Sequence, residues 1–212
     1  AGLYAFIRVP RADWRTAARV IEMGVAGVMA PHINRPEEAK GLVDAIKSPP
    51  IGNRGLNVTT RAAHYGAVSP QDHVAQANEE TLAIVLVEDR EGIERIDDIL
   101  SVPGVDVAIT GPADLSRSYG VAGDIRNHVV EKAIATFMES ARRNNVFIMR
   151  SCFSLEDVTT NVRNGASLVT SPLSDSHFFA SSLRTAHGSA LEHVERGLAD
   201  RGTADERATP SA

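Results

Sequence analysis

The sequence contains a single cysteine, Cys152, so no disulfide bond can form within the chain. A lone cysteine is typical of proteins in a reducing compartment, and we expect a cytoplasmic location. No apolar run approaches the ~20 residues that cross a bilayer. The chain also opens without the basic segment and apolar core of a secretory signal. The net charge of −5 disfavours nucleic acid or an anionic membrane surface as the main partner.

Glycine is missing where a nucleotide-binding fold would need it. The first apolar segment, residues 5–9, is followed by Pro-Arg-Ala-Asp rather than by a glycine-rich phosphate loop. A doubly wound sheet that binds a dinucleotide is therefore not expected.

Six short apolar segments rich in β-branched residues alternate with helical patterns along the chain; they are residues 5–9, 25–30, 82–87, 105–110, 146–149 and 167–170. Near-continuous apolar character indicates burial on both faces, which is typical of parallel strands covered by helices. A (β/α)₈ barrel needs eight such units and typically ~250 residues. We therefore predict an incomplete TIM barrel that lacks the first two βα units.

The segments between the predicted strands carry the signals of helices. Pro36 is a good first helical residue, and Ser154 with Asp157 resembles a capping box. Apolar residues recur at helical spacing in Trp14, Ala17, Ala18 and Ile21. We predict one domain over residues 1–198 and a disordered tail over 199–212, where the sequence is polar and lacks periodicity.

In parallel α/β folds, chemistry gathers at the carboxyl ends of the strands. The residues found there are Arg8, His32, Glu88, Asp114, Arg150 with Cys152, and Ser171. Glu88 follows its strand directly and Asp114 follows the next strand by one turn, so the two carboxylates can converge. Such a pair suits Mg²⁺ or Mn²⁺, which take oxygen ligands. The alternative is that each acid caps a helix or joins a salt bridge.

Four stretches together resemble one known family: GPADLS at 111–116, VEDREG at 87–92, PPIGNRG at 49–55 and EMGVAGVMAPHINRPEEAK at 22–40. They are similar to the metal-dependent class II pyruvate aldolases of the HpcH/HpaI aldolase/citrate lyase family, over about residues 8–183. The resemblance implies a barrel of the phosphoenolpyruvate/pyruvate type in which Glu88 and Asp114 bind Mg²⁺ or Mn²⁺. Arg54 would match the catalytic arginine that contacts the pyruvate oxygens. Gly111 and Ala113 would match the loop whose amides hold the substrate carboxylate.

The implied reaction is cleavage of a 4-hydroxy-2-oxo acid to pyruvate and an aldehyde. Two alternatives stay open: a related oxaloacetate-type decarboxylase or CoA-ester lyase, and a truncated metal-binding homologue with weak catalysis. The family's proton-transferring His follows its second strand, and this chain begins at what resembles the third. Leu86 also stands where the family often has Gln. We therefore expect metal binding with little turnover from the chain as given.

Several further residues have two interpretations each. His32 could face the site or cap its strand, and Arg150 could meet a substrate carboxylate or a neighbouring acid. Cys152 could be a reactive thiol or a small buried side chain. The segment containing Arg61, His64 and Tyr65 could shape the aldehyde pocket or contact another subunit.

The expected partners are a small 2-oxo acid and further copies of this chain. The resemblance points to homo-oligomers, as hexamers or trimers. An incomplete barrel would also leave unpaired sheet edges that need covering. The apolar helix face around Phe178, Phe179 and Leu183 is the predicted subunit contact.

Overall fold

The computed structural model describes residues 4–11, 13–170 and 174–207, with side chains described up to residue 198. These residues form one six-stranded sheet; its strands are β1 (Phe6–Arg8), β2 (Gly27–Ala30), β3 (Leu82–Leu86), β4 (Val107–Ile109), β5 (Phe147–Arg150) and β6 (Leu168–Val169). Each lies within one of the six segments predicted as strands, except that β5 ends one residue later, at Arg150, so that prediction is confirmed.

The strands follow one another around the sheet in sequence order, and every neighbouring pair is parallel. Each strand returns through one or more helices before the next begins, as in a βα barrel. The result is a partial TIM barrel of six strands, as predicted.

Side chains alternate between the two faces of the sheet, as the period of a strand requires. In β3, Ala83 and Val85 pack in the large core between sheet and helices. Ile84 and Leu86 point to the other face, into a smaller cluster inside the partial barrel that also contains Val107, Ile109 and Met149. The same alternation carries Glu88 to the inner face, directly above this apolar cluster.

The helices begin where the sequence signals predicted. Pro36 is the first residue of its helix, and Ser154 and Asp157 form the predicted capping box. The helices are α1 (Trp14–Glu22), α2 (Pro36–Ile46), α3 (Pro70–Glu80), α4 (Arg90–Glu94), α5 (Ile96–Leu100), α6 (Pro112–Ser118), α7 (His128–Arg143), α8 (Leu155–Arg163) and α9 (Asp175–Arg207). A 3₁₀ segment, Arg61–Gly66, lies between α2 and α3.

The chain divides into two compact units, Ala1–Thr170 and Ser171–Ala212. The domain over 1–198 with a tail over 199–212 stays a prediction. Helix α9 belongs to the second unit and continues through residues 199–207 of the segment predicted to be disordered. Alanine, arginine and glutamate in that stretch are strong helix formers, and they extend a helix without apolar periodicity. Residues 208–212 of the predicted tail lie outside the described residues.

Helix α9 exposes much of its apolar surface within its own unit. Six large side chains are at least about half exposed: Phe178, Phe179, Leu183, Leu191, Val194 and Leu198. Among the described residues, no helix has the length and hydropathy needed to cross a membrane.

Candidate active site

Glu88 is a buried acid at the carboxyl end of β3, with only 3% of its surface exposed. Its Oε1 accepts a hydrogen bond from the backbone N–H of His32 at 3.3 Å. Burial above the apolar inner cluster raises the pKa of this carboxyl, and the nearby charge of Asp114 raises it further. The charges of His32 and Arg8 act in the opposite direction. Glu88 is therefore a buried carboxyl that feels the charges of one acid, Asp114, and of two basic residues, His32 and Arg8.

Asp114 lies in the first turn of α6, one turn beyond β4. Its side chain is 47% exposed, and its Oδ1 accepts from Nε of Arg117 at 3.2 Å. Because its charge raises the pKa of Glu88, the two carboxylates share one electrostatic environment. Asp114 is thus close enough for its charge to act on Glu88, and the metal-binding role of the two acids stays a prediction.

Gly111 packs directly against Glu88. A Cβ at position 111 would overlap Oε2 of Glu88, so any other residue would displace the carboxylate. As the first residues of α6, Gly111 and Ala113 have N–H groups without intrahelical acceptors. The turn therefore leaves space for one acid, Glu88, and carries the other, Asp114.

His32 connects the site to a second layer of polar groups. Its backbone is left-handed, with φ 53°, and its Nδ1 lies 3.0 Å from Oδ2 of Asp89. Nδ1 donates in this contact, because a carboxylate can only accept. Nδ2 of Asn34 also donates to Oδ2 of Asp89, at 3.2 Å. His32 consequently faces the carboxylates and caps its strand at the same time.

Arg8 contributes a guanidinium to the inner face at this end of the sheet. It ends β1, where it pairs with Met29, a residue of the inner cluster, so both face the barrel interior. Its charge acts on Glu88 and lowers the pKa of that acid. The sequence placed Arg8 among the strand-end residues but gave it no role in the site.

Arg54 is not brought to this site, in contrast to the role predicted from the family motif. It lines a cavity together with Ala5, Ala26 and Thr81, the residues that precede β1, β2 and β3. Thr81 and Glu88 lie at opposite ends of one strand, roughly 20 Å apart at the usual rise per residue. The reason is chain direction: helices run back against the strands, so a residue shortly after α2 lies at the amino ends. The position of Arg54 shortly after a predicted helix could therefore have excluded it from the carboxyl-end site on sequence grounds alone.

Arg61, His64 and Tyr65 line the same amino-end cavity, and so they do not shape a pocket at the carboxyl ends. Leu86 is 4% exposed in the inner cluster, as the alternation predicted. Ser171 lies outside the described residues.

Arg150 and Cys152 form a separate polar group beside β5. Nη1 of Arg150 donates to Oγ1 of Thr110 at 2.8 Å, and its contact with a substrate carboxylate stays a prediction. Cys152 is buried, and its Sγ accepts from Nδ2 of Asn161 at 3.4 Å. The thiol therefore behaves as a packed side chain.

The candidate ligands for a divalent cation at this site are two carboxylates, those of Glu88 and Asp114. Across the part of the chain that the structure describes, no three His, Cys, Asp or Glu side chains are gathered as a metal-binding group. Mg²⁺ is commonly held by only one or two carboxylates, with water and substrate oxygens completing its shell. Glu88 and Asp114 are two carboxylates of this kind, and Gly111 makes room for the side chain of Glu88.

Two known proteins with similar sequences are aldolases. The chain is 36% identical over 134 residues to a hydroxypyruvate/pyruvate aldolase of Sagittula stellata, which covers 62% of this chain and 52% of that protein. It is 37% identical over 117 residues to a 2-keto-3-deoxy-L-rhamnonate aldolase of Klebsiella pneumoniae, covering 55% of this chain and 43% of that protein. The chain thus spans about half the length of these curated relatives.

The fold also matches a solved structure. The crystal structure of an HpcH/HpaI aldolase from Desulfitobacterium hafniense superposes with a TM-score of 0.80 and 25% identity, over 92% of this chain and 73% of that one. The model of one family matches residues 1–181, most of the chain. With its partial barrel and its paired strand-end acids, the chain belongs to the HpcH/HpaI aldolase/citrate lyase family.

Proposed function

We propose that this chain carries the metal- and pyruvate-binding part of a class II aldolase, which cleaves a 4-hydroxy-2-oxo acid to pyruvate and an aldehyde. The observation that carries the proposal is the pair of acids, Glu88 and Asp114, coupled above Gly111 at the carboxyl ends of adjacent strands. The relatives in Sagittula stellata and Klebsiella pneumoniae are pyruvate-type and keto-deoxy acid aldolases, which supports this reaction class.

Glu88 and Asp114 are the residues that would hold Mg²⁺ or Mn²⁺, on which the family depends. The bound cation would supply positive charge beside the carboxylate and 2-oxo oxygens of the substrate, where cleavage leaves an enolate.

The chain's own groups complete the binding of pyruvate. The guanidinium of Arg8, on the inner face at the end of β1, is suited to neutralise the developing enolate oxygen. The N–H groups of Gly111 and Ala113 are suited to donate to the substrate carboxylate, because helix starts favour anions. The apolar cluster beneath Glu88 keeps water from the floor of the site and so strengthens these interactions.

The proposal includes an oligomer. Phe6 and Ile7 of the edge strand β1 are 37% and 39% exposed, and α9 exposes Phe178, Phe179 and Leu183 within its own unit. Apolar surface on an edge strand and a helix favours association with another chain. Light scattering should therefore report a species larger than a monomer, and a monodisperse monomer would remove the oligomer from the proposal.

Calorimetry with oxalate, a mimic of the pyruvate enolate, tests the binding site. Oxalate should bind the wild type in a Mn²⁺-dependent manner, and Asp114→Ala should abolish that dependence. Arg8→Ala should weaken the Mn²⁺-dependent affinity about 30-fold, since it removes a charged partner of the anion. Arg54→Ala should leave it unchanged and serves as the matched arginine control. Absence of any oxalate binding that requires Mn²⁺ and is lost in Asp114→Ala would reject the site, whereas oxalate bound without Mn²⁺ does not report on it.

Turnover is measured separately, with a coupled assay for pyruvate release from a 4-hydroxy-2-oxo acid. Pyruvate release that requires Mn²⁺ and disappears in Asp114→Ala would support the aldolase reaction. Metal-dependent loss of CO₂ from oxaloacetate without aldol cleavage would favour the decarboxylase instead.

A further inference from the structure

A cavity of about 1070 Å³ lies at the amino ends of β1, β2 and β3, at the opposite end of the sheet from Glu88 and Asp114. Its walls are rich in basic side chains: Arg54, Arg61, His64 and His73. The acid among the lining residues is Glu80, and its carboxylate accepts from Nε2 of Gln76 at 3.1 and 3.2 Å. The proposed aldolase chemistry uses none of these residues.

Arg54 is the most unusual group in this cavity. It is only 9% exposed, and no side chain of the described residues lies within hydrogen-bond or ion-pair distance of its guanidinium, although the charge of Glu22 acts on it. Glu22 is the acid whose charge acts on it, and the Oε1 of Glu22 accepts from Asn57 instead, at 3.4 Å. Buried charges in proteins are normally paired and hydrogen-bonded, because leaving them unpaired is costly. The guanidinium of Arg54 reaches the cavity that it lines, and it is free to pair with an anion there.

His73 lies beside Arg54 and is 6% exposed. Burial lowers the pKa of its imidazole, and the charges of Arg54 and His64 lower it further. At neutral pH the ring is therefore uncharged, and it can offer one N–H without adding repulsion around Arg54. The cationic guanidinium of Arg54 and the neutral imidazole of His73 therefore line the same cavity.

The segment that carries His64 into the cavity wall is held in a strained conformation. His64 and Tyr65 both have left-handed backbones, with φ 49° and 54°, and Gly66 follows at φ 86°. Two consecutive non-glycine residues in this region are costly and persist only where the surroundings enforce them. This local geometry supports a built cavity wall rather than a loose loop.

We propose that the amino-end cavity binds a small oxyanion, a phosphate or a dicarboxylate, with Arg54 as its principal ligand. The planar guanidinium fork matches both phosphate and carboxylate oxygens in bidentate geometry. His73 contributes a neutral donor, and Arg61 adds positive charge at the wall. This site is independent of the proposed aldolase site, from which the length of β3 separates it.

Calorimetry in the presence of EDTA tests the proposal with two probes, inorganic phosphate and succinate. At least one of them should bind the wild type saturably, and the tighter one identifies the preferred chemistry. Arg54→Met should weaken that binding about 30-fold, because it removes one partner of a buried charge contact. Arg54→Lys should retain part of the affinity, since it keeps the charge but loses the fork. Arg150→Met is the matched control: it removes another largely buried arginine, at the other end of the sheet, and should leave binding unchanged.

Hydrogen exchange on the wild type keeps the test independent of how the variants fold. The bound probe should slow exchange in residues 61–66 and leave residues 110–116 unaffected. The proposal is overturned by absence of saturable binding for both probes, by equal affinity in Arg54→Met, or by protection confined to residues 110–116. Because EDTA removes divalent metal, failure here leaves the oxalate result untouched, and the converse also holds.

Discussion

Charged groups are buried at both ends of the sheet, and Lys47 at one end is neutralised differently from Glu88 at the other. At the amino ends, Lys47 is 2% exposed; its Nζ lies 3.0 Å from Oδ2 of Asp106 and donates to the carbonyl of Asn78 at 2.8 Å. At the carboxyl ends, Glu88 is 3% exposed, and its neighbour Asp114 has the same charge.

This difference in charge pairing distinguishes the structural cluster around Lys47 from the candidate binding site around Glu88. Lys47 has an acid and a carbonyl as partners, so its charge stabilises the fold without any ligand. Glu88 and Asp114 repel each other, and the positive charge near them comes from Arg8, His32 and Arg117. A pair of like charges that the fold tolerates is typical of a place where a cation completes the balance.

The largest effect should come from breaking the amino-end pair. Lys47→Ala should lower the free energy of unfolding by roughly 3–5 kcal/mol, because it leaves Asp106 without its buried partner. Lys40→Ala breaks an exposed pair with Asp44 on α2 and should cost less than about 0.5 kcal/mol. Chemical denaturation measures both, and equal losses would mean that burial does not distinguish the two lysines.

At the carboxyl ends, stability should respond to metal. Mn²⁺ at 100 times its Kd should raise the free energy of unfolding of the wild type by about 2.7 kcal/mol, since it binds only the folded state. Asp114→Ala should fold but lose this gain. Asp124→Ala, which removes an exposed acid beyond α6, should keep it. Thermal melts with and without Mn²⁺ provide the measurement, and an unchanged response in Asp114→Ala would remove Asp114 from the site.

The role of Gly111 can be tested within the same site. Gly111→Ala should weaken Mn²⁺ binding about tenfold, because its Cβ would push the carboxylate of Glu88 aside, at a cost comparable to overpacking. Gly55→Ala is the control, since a Cβ there meets nothing within 4 Å. Titration of Mn²⁺ against the melting temperature gives the affinities. If Gly111→Ala binds Mn²⁺ with wild-type affinity, the added Cβ does not displace the carboxylate of Glu88.

The smallest effect concerns pH without metal. The pKa of Glu88 is raised in the folded state above its ordinary value of 4.5, so the folded protein binds the extra proton in the window above 4.5. Stability should therefore fall as the pH rises through that window, and the penalty should be complete above the folded pKa. Glu88→Gln should remove this decline and raise the free energy of unfolding at pH 7 by about 1 kcal/mol.

The exposed acid Glu79 provides the control for that measurement, because Glu79→Gln should leave the pH profile of the wild type unchanged. Denaturant titrations between pH 4 and 8 give both curves. A wild-type profile that rises with pH across the window would contradict the burial argument for Glu88.

Local patterns predicted much of this molecule because they depend on neighbouring residues. The apolar segments predicted six parallel strands, and alternation placed Leu86 and Glu88 on the inner face. The capping box at Ser154 was also correct. The structure differs at α9, where good helix formers carry the helix to Arg207 through a stretch whose polarity suggested disorder.

What the sequence determined by itself is therefore the order of the strands, the parallel sheet and the two acids at its carboxyl edge. Only the tertiary structure decided which arginine joins them: Arg8 lies at the end of β1 on their side, and Arg54 lies at the far end in a separate cavity. The tertiary structure also explains why position 111 is glycine: a Cβ there would clash with the side chain of Glu88, which comes from another strand. Strand periodicity is a property of a few consecutive residues, whereas contacts among β1, β3 and α6 exist only once the sheet has brought distant segments together.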